Sequence, residues 1–474
     1  MSRALSAILT SILVIALAPP AAAQPSPETA PSVQSPPSIT MRAMSLPDAI
    51  AYARAHQPAV LAGVARVAAS KEAASIPRAQ WQPLVGATAQ IFGATANNTT
   101  AMYTTATAMD IPRIGATRAV TGSTGTWQPY PSTFVGAGIQ QEAFDFGRIA
   151  AQAAAADALI DVQRQASANT LLDVTYGVEE AYFAVYAAKG VLTASQDAYN
   201  RSKVHRDLAK AGVMSGLRSP IELTRAEADL ARFDAGRIRA SGGVDVAEAV
   251  YAAAAGVPDR ALDVTGTPAT PADLPALSDA EAAAAARDPR ILQALAQLRA
   301  EEERTRAIGA LSRPDLSLTG TISGRAGGAD PSSGQAAVGG GWIPNVPNWD
   351  VGAVLSWPLF DPSVRAREHA SRTEEQVRRE ELAQVRFEHL SAIRQAFVGV
   401  QVARAALPAL QQTVEASHAN YAQADARFKA GLGNAVELAD AEALRTDAEI
   451  QLALGVFDLA RARAVFGRTI AEGL

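Results

Sequence analysis

The chain has no cysteine among its 474 residues, and this absence excludes several kinds of site. Without thiols it can form neither disulfides nor thiolate metal sites, and no cysteine is available near the N-terminus to carry a lipid. Aromatic residues are also scarce, at 5%. The 42 Lys and Arg residues are slightly outnumbered by 47 Asp and Glu, and they form no basic stripe. Nucleic acid is therefore not an expected partner.

Long apolar runs are absent outside the N-terminus. There, Met1–Arg3 is short and basic, residues 4–18 are apolar and Ala21–Ala23 is small, which is the pattern of a secretory signal peptide. The apolar run is shorter than the roughly 20 residues that a membrane span needs, which disfavours the alternative of a retained signal anchor. We expect a signal peptide over residues 1–23 and a disordered, Pro- and Ser-rich lead over residues 24–40.

What the chain does contain is a long internal repeat. Residues 221–227 (IELTRAE) return as residues 436–442 (VELADAE), and 436 minus 221 is 215. Near the front, residues 46–49 (LPDA) reappear as residues 277–280 (LSDA), 231 positions later. A repeat far longer than the roughly 20–50 residues of a solenoid unit indicates a duplicated domain.

Prolines mark the boundary between the two copies. Four of them fall between residues 256 and 277, a density that interrupts both helices and strands. We therefore expect a first repeat over residues 41–256, an inter-repeat link over residues 257–277 and a second repeat over residues 278–470. The distance between matching residues of the two copies falls from 231 near the front to 215 farther along. The first copy must therefore contain a longer loop than the second.

Four stretches alternate apolar and polar residues with a period of two, as half-buried strands do. They are Val85–Ile91, Val135–Ala143, Leu316–Gly324 and Val351–Leu359. Strands of this length with one apolar face suit a soluble sandwich or a membrane barrel, and the strand pattern alone favours the sandwich. The loops between them span residues 97–131 and 328–347.

Two heptad patterns favour the membrane barrel over the soluble sandwich. Apolar residues recur every seven positions over residues 171–199 and again over residues 393–428, with small residues between them, which predicts closely packed coiled-coil helices. A helix from Gly147 to Lys210 would be about 96 Å long, too long for one globular domain. Four strands per chain cannot close a membrane barrel by themselves, whereas three chains would supply twelve.

The ends of these elements resemble a known family. Residues 144–147 (FDFG) and 358–361 (PLFD) resemble the strand-to-helix junctions of the TolC-type outer-membrane efflux proteins. Residues 428–438, with FKAG followed by VEL, are similar to the helical-tip motif of that family. So are residues 208–223, with LAKAG followed by IEL. The resemblance covers residues 41–470.

The resemblance implies a mainly α protein with a membrane β-barrel, built from a duplicated helix-strand-strand-long-helix-helix repeat. Three copies would form a 12-stranded β-barrel in outer-membrane lipid that continues into a periplasmic α-helical barrel. The homotrimer would be a passive conduit without cofactors, working with a periplasmic adaptor (membrane fusion) protein and an inner-membrane transporter. Many members carry a lipidated N-terminal cysteine, and this chain has none.

Acidic residues at the second tip are the strongest candidates for a functional site. Glu437 and Asp440 lie three apart, so they share one face of a helix. The family places acidic residues with this spacing at its periplasmic constriction, where a threefold ring of them would favour cations. Glu222 is the counterpart in the first copy. The alternative is an ordinary solvated helix N-terminus, where acids are also favoured.

Glycines at the ends of the long helices predict the tip turns, and the resemblance implies that the adaptor docks there. They are Gly212 in the first copy and Gly431 and Gly433 in the second. Aligning Gly212 with Gly431 gives the first tip four extra residues. Where some family members latch the closed tip with tyrosine and arginine, this chain has Phe428 and Gly433, so its latch must differ.

Aromatic residues cluster where strands lead into the long helices, at Phe144, Phe146, Trp357 and Phe360. This position predicts the periplasmic aromatic girdle of a barrel. Packing at the junction between barrel and helices is an equally valid alternative.

No catalytic or metal-binding pattern emerges from the sequence. The five histidines lack metal-ligand spacing, and His389 and His418 are expected to be solvated helix residues. A periplasmic enzyme would need a polar catalytic cluster, which the sequence does not offer. The remaining alternative to a channel is a structural coiled-coil or adhesin-like envelope protein, anchored by its strands without conducting.

Overall fold

A computed structural model describes residues 43–95, 129–257, 262–266, 274–326, 343–344 and 346–473. The predicted signal peptide and disordered lead lie outside these ranges, as does most of both predicted loops.

Among the described residues, the two repeats contain the same succession of elements except for the short helix α3, which occurs only in the first. The first consists of β1 (Ala43–Met44), α1 (Leu46–His56), α2 (Pro58–Ala73), α3 (Ser75–Ala79), β2 (Leu84–Thr95), β3 (Pro129–Phe144), α4 (Arg148–Met214) and α5 (Pro220–Ala255). After the short strand β4 (Asp263–Val264), the second consists of α6 (Leu277–Arg287), α7 (Pro289–Ala310), β5 (Asp315–Ala326), β6 (Val346–Ser356), α8 (Pro362–Lys429) and α9 (Ala435–Thr469). Strand β4 pairs in parallel with β1.

The long helices α4 and α8 begin at aspartates that cap them. Asp361 accepts hydrogen bonds from the backbone N–H groups of Ser363 (2.8 Å) and Val364 (3.4 Å). Asp145 lies two residues before the N-cap residue Gly147 of α4 and accepts from the backbone N–H groups of Gly147 and Ile149. Such caps satisfy N–H groups that have no partner inside the helix. Helix α4 has 67 residues and α8 has 68, so each is about 100 Å long.

Both long helices end at a left-handed glycine, and this corrects the predicted first tip. The glycine is Gly216 in α4 (φ 71°) and Gly431 in α8 (φ 73°), 215 positions apart. The N–H of Leu217 donates to the carbonyl of Gly212 at 2.9 Å, and the equivalent bond in the second copy joins residues 432 and 427. Gly212 therefore lies in the last turn of α4, and the prediction of four extra residues in the first tip is wrong. The two tips have equal length.

The long helices pack on one another through the predicted heptad positions. The buried core of the first repeat includes Val178, Val185 and Tyr251. That of the second includes Ile393, Val400 and Phe466, each 215 positions after its counterpart. The offset of 215 therefore holds from Val178 to Tyr251, over much of the length of the helices that follow the strands.

The helices form a wall one layer thick and four helices wide. Near the sheet the order across the wall is α2, α4, α7 and α8; toward the far end it is α5, α4, α9 and α8. Helices α4 and α8 run the full length, while α2 and α5, and likewise α7 and α9, follow one another along it. Within the described ranges, no helix combines the length and the apolar character needed to cross a membrane.

The four long strands form one antiparallel sheet in the order β2-β3-β5-β6. Paired residues lie on the same face, so the register of the ladder defines the faces directly. The predicted apolar residues share one face: Val85, Ala87, Ala89, Ile91, Leu316, Leu318, Ile322, Val351, Ala353 and Leu355. Strand β6 ends at Ser356, so the predicted extension of this strand to residue 359 is wrong.

Both layers are open at both sides. The sheet ends at β2 on one side and at β6 on the other. The helical wall ends at α2 and α5 on one side and at α8 on the other. Because α2 precedes β2 and α8 follows β6, the sheet and the wall are open along the same two edges of the chain.

Candidate functional site

The helical tip, formed by residues 212–222 and 427–440, lies at the end of the wall away from the sheet. The two returning helices start here in different ways. Asn434 precedes α9, and its side-chain oxygen accepts a hydrogen bond from the N–H of Glu437 at 2.8 Å. Pro220 occupies the first turn of α5, where its missing N–H costs nothing. These starts place Glu222 and Glu437 in the first helical turn, where the helix dipole favours acids.

The three predicted acidic residues differ in their surroundings. Glu437 pairs with Arg427 at 3.2 Å, and Glu222 pairs with Arg218 at 3.0 Å. Asp440 is exposed and forms no ion pair with any residue in the described ranges. Since the other two carboxylates have cationic neighbours, Asp440 carries the uncompensated negative charge of the tip.

The sequence analysis missed Arg218, which joins the two tips of one chain. Its guanidinium carbon lies 3.8 Å from the centre of the Phe428 ring, a cation–π distance. It also donates a hydrogen bond of 3.0 Å to the backbone carbonyl of Phe428. At the offset of 215, Arg218 is the counterpart of Gly433. The first tip thus carries an arginine at the position where the second tip has a glycine.

Gly212 makes room for this arginine. A Cβ atom at Gly212 would lie 2.7 Å from Cδ of Arg218, closer than real Cβ atoms approach other atoms. The absence of a side chain at Gly212 thus lets Arg218 cross toward Phe428. The prediction that Gly212 forms the turn itself is wrong, because the left-handed glycine is Gly216; its predicted part in adaptor docking stays a prediction.

A cluster of polar residues, which we call the buried cluster, lies between α4, α8 and α9 above the tip. It consists of Arg201, His205, Tyr421, Glu442 and Arg445. Both carboxylate oxygens of Glu442 accept hydrogen bonds from Nε of Arg201, at 2.9 and 3.0 Å. The guanidinium carbons of Arg201 and Arg445 lie 5.7 and 5.1 Å from the centre of the Tyr421 ring, whose hydroxyl contacts Nε2 of His205 at 2.9 Å.

Burial changes the protonation behaviour of this cluster. It raises the pKa of Glu442 against the opposing effect of Arg201. It lowers the pKa of His205 and raises that of Tyr421 to about 12. His205 and Tyr421 are therefore neutral at physiological pH, and the hydrogen bond between them carries no charge.

The predicted girdle residues lie where the sheet meets the helices. Phe144, Phe146, Trp357 and Phe360 are all exposed in the isolated chain. The rings of Phe144 and Phe146 meet edge to face with centroids 4.6 Å apart. Their exposure is consistent with an aromatic girdle at a lipid interface. The contact between the two rings is consistent with packing at the junction between barrel and helices, so both stay predictions.

The described residues contain no group of three or more His, Asp or Glu side chains that would suit a metal ion. Two histidines differ from one another. His418 pairs with Glu449 at 2.7 Å and is partly exposed. His389 is buried beside Asp288, at 3.3 Å, so the prediction that it is solvated is wrong. Its partner caps α7 from a different part of the sequence, and helical periodicity alone did not reveal this contact.

Comparison with protein families identifies the fold. The family described as outer membrane efflux protein matches residues 49–257 and residues 282–464, which together make up most of the chain. The chain belongs to the outer membrane efflux protein family. The predicted family and fold class are both confirmed. Among curated protein sequences, no match was found.

Solved structures show the same fold. The outer-membrane channel OprN is 21% identical, with a TM-score of 0.70 over 90% of each chain. A membrane protein from Pseudomonas aeruginosa is 17% identical, with a TM-score of 0.73 over 92% of this chain and 93% of that one. The CmeC outer membrane channel of Campylobacter jejuni is 14% identical, with a TM-score of 0.73 over 90% of this chain and 86% of that one.

Membership of the outer membrane efflux protein family fixes the place and the general function of the chain. It is an outer-membrane protein with a long periplasmic helical extension, and its general function is that of an efflux channel. Membership of this family indicates a channel and not an enzyme. The helical tip accordingly lies in the periplasm.

Proposed function

We propose that the protein is a homotrimeric, passive conduit from the periplasm to the exterior, the exit duct of a tripartite efflux or secretion system. The observation that carries this proposal is that sheet and wall are open along the same two edges. Copies arranged head to tail would cover each open edge with the opposite edge of the next copy, and such an interface gives a ring when the rotation between copies closes. Three copies would give twelve strands and a helical barrel twelve helices wide.

Closure would also give hydrogen-bond partners to the unpaired backbone groups at the edges of the sheet. The unpaired N–H and C=O groups of β2 and β6 have no water to bind inside a membrane, so a spanning sheet must close. On the apolar face, Val351 and Ile91 are 79% and 75% exposed, which suits contact with lipid. Phe144, Phe146, Trp357 and Phe360 would then form the periplasmic aromatic girdle.

The gate of the conduit would be the helical tip. Threefold symmetry would gather Glu437, Asp440 and Glu222 of each copy around one axis, and the uncompensated charge of Asp440 would make the opening favour cations. Contact between Arg218 and Phe428 would hold the closed tip. The two equal turns at Gly216 and Gly431, with Gly433 beside the second, would meet the periplasmic adaptor.

A passive conduit cannot drive export by itself, so it needs an energised partner and a protein that connects the two. We propose that a periplasmic adaptor protein binds the tip and connects it to an inner-membrane transporter that drives export. Within each chain, we propose that residues 41–256 and 278–470 act as two structurally equivalent repeats joined by the link at 257–277, giving six similar tip turns per trimer.

Mass and conductance measured on one preparation test this proposal. Native mass spectrometry of the protein in lipid nanodiscs should show three copies, and the same protein in planar bilayers should give discrete ohmic steps of current. Bilayers without protein provide the baseline. A one-copy assembly, or correctly inserted trimers that never conduct, would overturn the proposal and favour a structural envelope protein.

A further inference from the structure

An open groove of about 890 Å³ lies at the end of the wall that meets the sheet, and we call it the junction groove. Its floor is the last part of α7, from Glu302 to Ala310, with the turn that follows. Phe146 and the start of α4 form one side, and the first turns of α8 form the other. All of its walls therefore belong to a single chain.

The junction groove opens on the same side as the apolar face of the sheet. Arg148, at the start of α4, lies 3.8 Å from Glu142, which the sheet register places on the polar face. Ala150 lines the groove, and at about 100° per residue it lies about 200° around α4 from Arg148, on the opposite face. Phe146 also lines the groove, and its ring contacts that of Phe144 on the apolar face.

The upper end of the groove, next to the sheet, lies at the depth of phospholipid headgroups. Leu316 is the first residue of β5 on the apolar face, and Arg313 lies three residues before it, so their Cα atoms are at most about 11 Å apart. The headgroup layer extends roughly 5–8 Å beyond the hydrocarbon core on each side. This step rests on the proposed function, in which the apolar face contacts lipid.

Two arginines without carboxylate partners lie at this upper end. Arg313 is exposed and donates a hydrogen bond of 3.0 Å to the carbonyl of Phe146. On α8, Arg365 is exposed one turn above Glu368, and a Cβ atom at Gly309 would lie 3.6 Å from Oε1 of that glutamate. Because α7 and α8 are antiparallel, Arg365 is level with residues 312 and 313. Within the described ranges neither arginine forms an ion pair, so both charges are available to an anion.

The lower part of the groove has the opposite charge. Four acidic side chains line it against two basic ones: Glu302, Glu303, Glu368, Glu375, Arg306 and Arg372. Both of these arginines already pair with acids of the groove, at 2.5 and 2.6 Å. Arg379 pairs with two more of the acids from outside the groove. The groove therefore offers free positive charge near the membrane and an excess of carboxylate below it, the charge order that suits a zwitterion.

The first repeat has no equivalent groove. At the offset of 231, Gln82 stands in place of Arg313 and Arg78 in place of Gly309. Arg78 pairs with Asp157 at 2.6 Å, so a charged pair fills the space that the glycine leaves open in the second repeat. Each chain therefore has one such site.

We propose that the junction groove binds one phospholipid with an ethanolamine headgroup, from the periplasmic leaflet of the outer membrane, in each chain. Arg313 and Arg365 bind the phosphate, as basic clusters beside a membrane do. The ammonium group donates hydrogen bonds to Glu368 below them. The acyl chains continue past the exposed ring of Phe146 onto the apolar face of the sheet. A choline headgroup has no N–H to donate, so it fits the site less well.

Native mass spectrometry of the full-length protein in detergent tests this inference. The protein is titrated with palmitoyl-oleoyl phosphatidylethanolamine, with phosphatidylcholine of the same chains, and with the matching diacylglycerol. Wild type should retain one molecule of the ethanolamine lipid per chain, several-fold more tightly than the choline lipid, and should not retain diacylglycerol. Excess inorganic phosphate should not displace the lipid, because it lacks the acyl chains.

Four variants separate the groove from general attraction of lipid to the surface. Arg313→Gln should weaken binding of the ethanolamine lipid by roughly tenfold, since a hydrogen bond to a charged group is lost. Gly309→Leu should weaken it at least as much, because its side chain fills the floor of the groove. Glu368→Gln should remove the preference for ethanolamine over choline. Arg78→Gln is the matched control, since it removes an arginine from the equivalent place in the first repeat, and it should bind lipid like wild type.

The inference is overturned by equal affinity for the ethanolamine and choline lipids, by displacement with inorganic phosphate, or by wild-type binding in both Arg313→Gln and Gly309→Leu. An Arg78→Gln protein that loses as much affinity as Arg313→Gln would also overturn it. Trimers that conduct but retain no lipid would contradict this inference alone. Chains that retain the lipid but never conduct would contradict only the proposed function.

Discussion

At the scale of single residues, the acids of the tip are not equivalent, and cation selectivity should reveal this. Asp440 has no ion-pair partner in the described ranges, whereas Glu437 pairs with Arg427 at 3.2 Å. We therefore expect Asp440→Asn to lower the cation-to-anion permeability ratio more than the double change Glu437→Gln with Arg427→Gln does, since the double change removes a compensated pair and leaves the net charge unchanged. Reversal potentials in a salt gradient measure both. If the variants lower the permeability ratio equally, or do not lower it, these residues belong to an ordinary solvated helix face.

The contact between Arg218 and Phe428 makes a second residue-scale prediction. Arg218→Ala removes the cation–π contact and the hydrogen bond to the carbonyl of residue 428, and should lengthen the time that the tip stays open. Gly212→Ala should do the same, because its Cβ would collide with the arginine. Gly216→Ala provides the comparison, since it strains the turn without touching Arg218 directly. Gly212→Ala channels that open like wild type would contradict this role.

The buried cluster predicts a pH dependence. Burial lowers the pKa of His205 below its usual 6.5; Asp425 opposes this shift, and Lys429 and Arg201 reinforce it. Below about pH 6.5 the unfolded chain therefore binds a proton that the folded chain does not, and stability falls as the pH falls. Each unit of lowering corresponds to about 1.4 kcal/mol. Between pH 7 and 5, the melting temperature of His205→Gln should fall less than that of wild type. An equal fall in the melting temperature of both proteins would show that His205 is not the titrating group.

The sequence reveals those parts of the site whose residues lie close together along the chain, and misses contacts between distant residues. Glu437 and Asp440 are recognisable because three-residue spacing on a helix is a local property. Arg218 was not found because its partner, Phe428, lies 210 positions away, and only the packed tips bring them together. His389 was misassigned for the same reason, since Asp288 is 101 positions away.

At the scale of secondary-structure elements, the sheet register gives the sharpest prediction. Leu318 lies on the apolar face, opposite Ala353, and Thr319 lies on the other face, opposite Gly352. Leu318→Arg should oppose membrane assembly by roughly 2–4 kcal/mol if the residue lies at the midplane, while Thr319→Arg should be tolerated. Folding into lipid vesicles, followed by gel mobility, measures both variants. Assembly of the Leu318 variant together with failure of the Thr319 variant would place the faces the wrong way round.

Elements are predictable from sequence where periodicity is long, and less so at their ends. Heptads over many turns identified α4 and α8, and alternation identified the four strands. Element ends depend on individual caps and turns instead. The repeated Lys-Ala-Gly motif placed the first tip at Gly212, whereas the left-handed conformation occurs at Gly216, which matches Gly431 in the second copy. The structure aligns the tips by their hydrogen bonds, information that the motif does not contain.

At the scale of the whole molecule, the central feature is a wall that is open on both sides. Strands β2 and β6 are the edges of the sheet, and α2, α5 and α8 are the edges of the helical wall. The sequence predicted this incompleteness by counting strands, because four apolar-faced strands cannot close alone. It did not predict that both layers would be open along the same edges, which follows from the side-by-side packing of the two repeats.

The most direct test of the central claim is an electron cryo-microscopy map of the full-length protein in lipid nanodiscs. The account predicts three copies around one axis, with β6 of each copy paired to β2 of the next and α8 beside α2 and α5 of the next. A continuous lumen should narrow at Asp440. A single copy, or a symmetric pair in which β2 meets β2, would contradict the account.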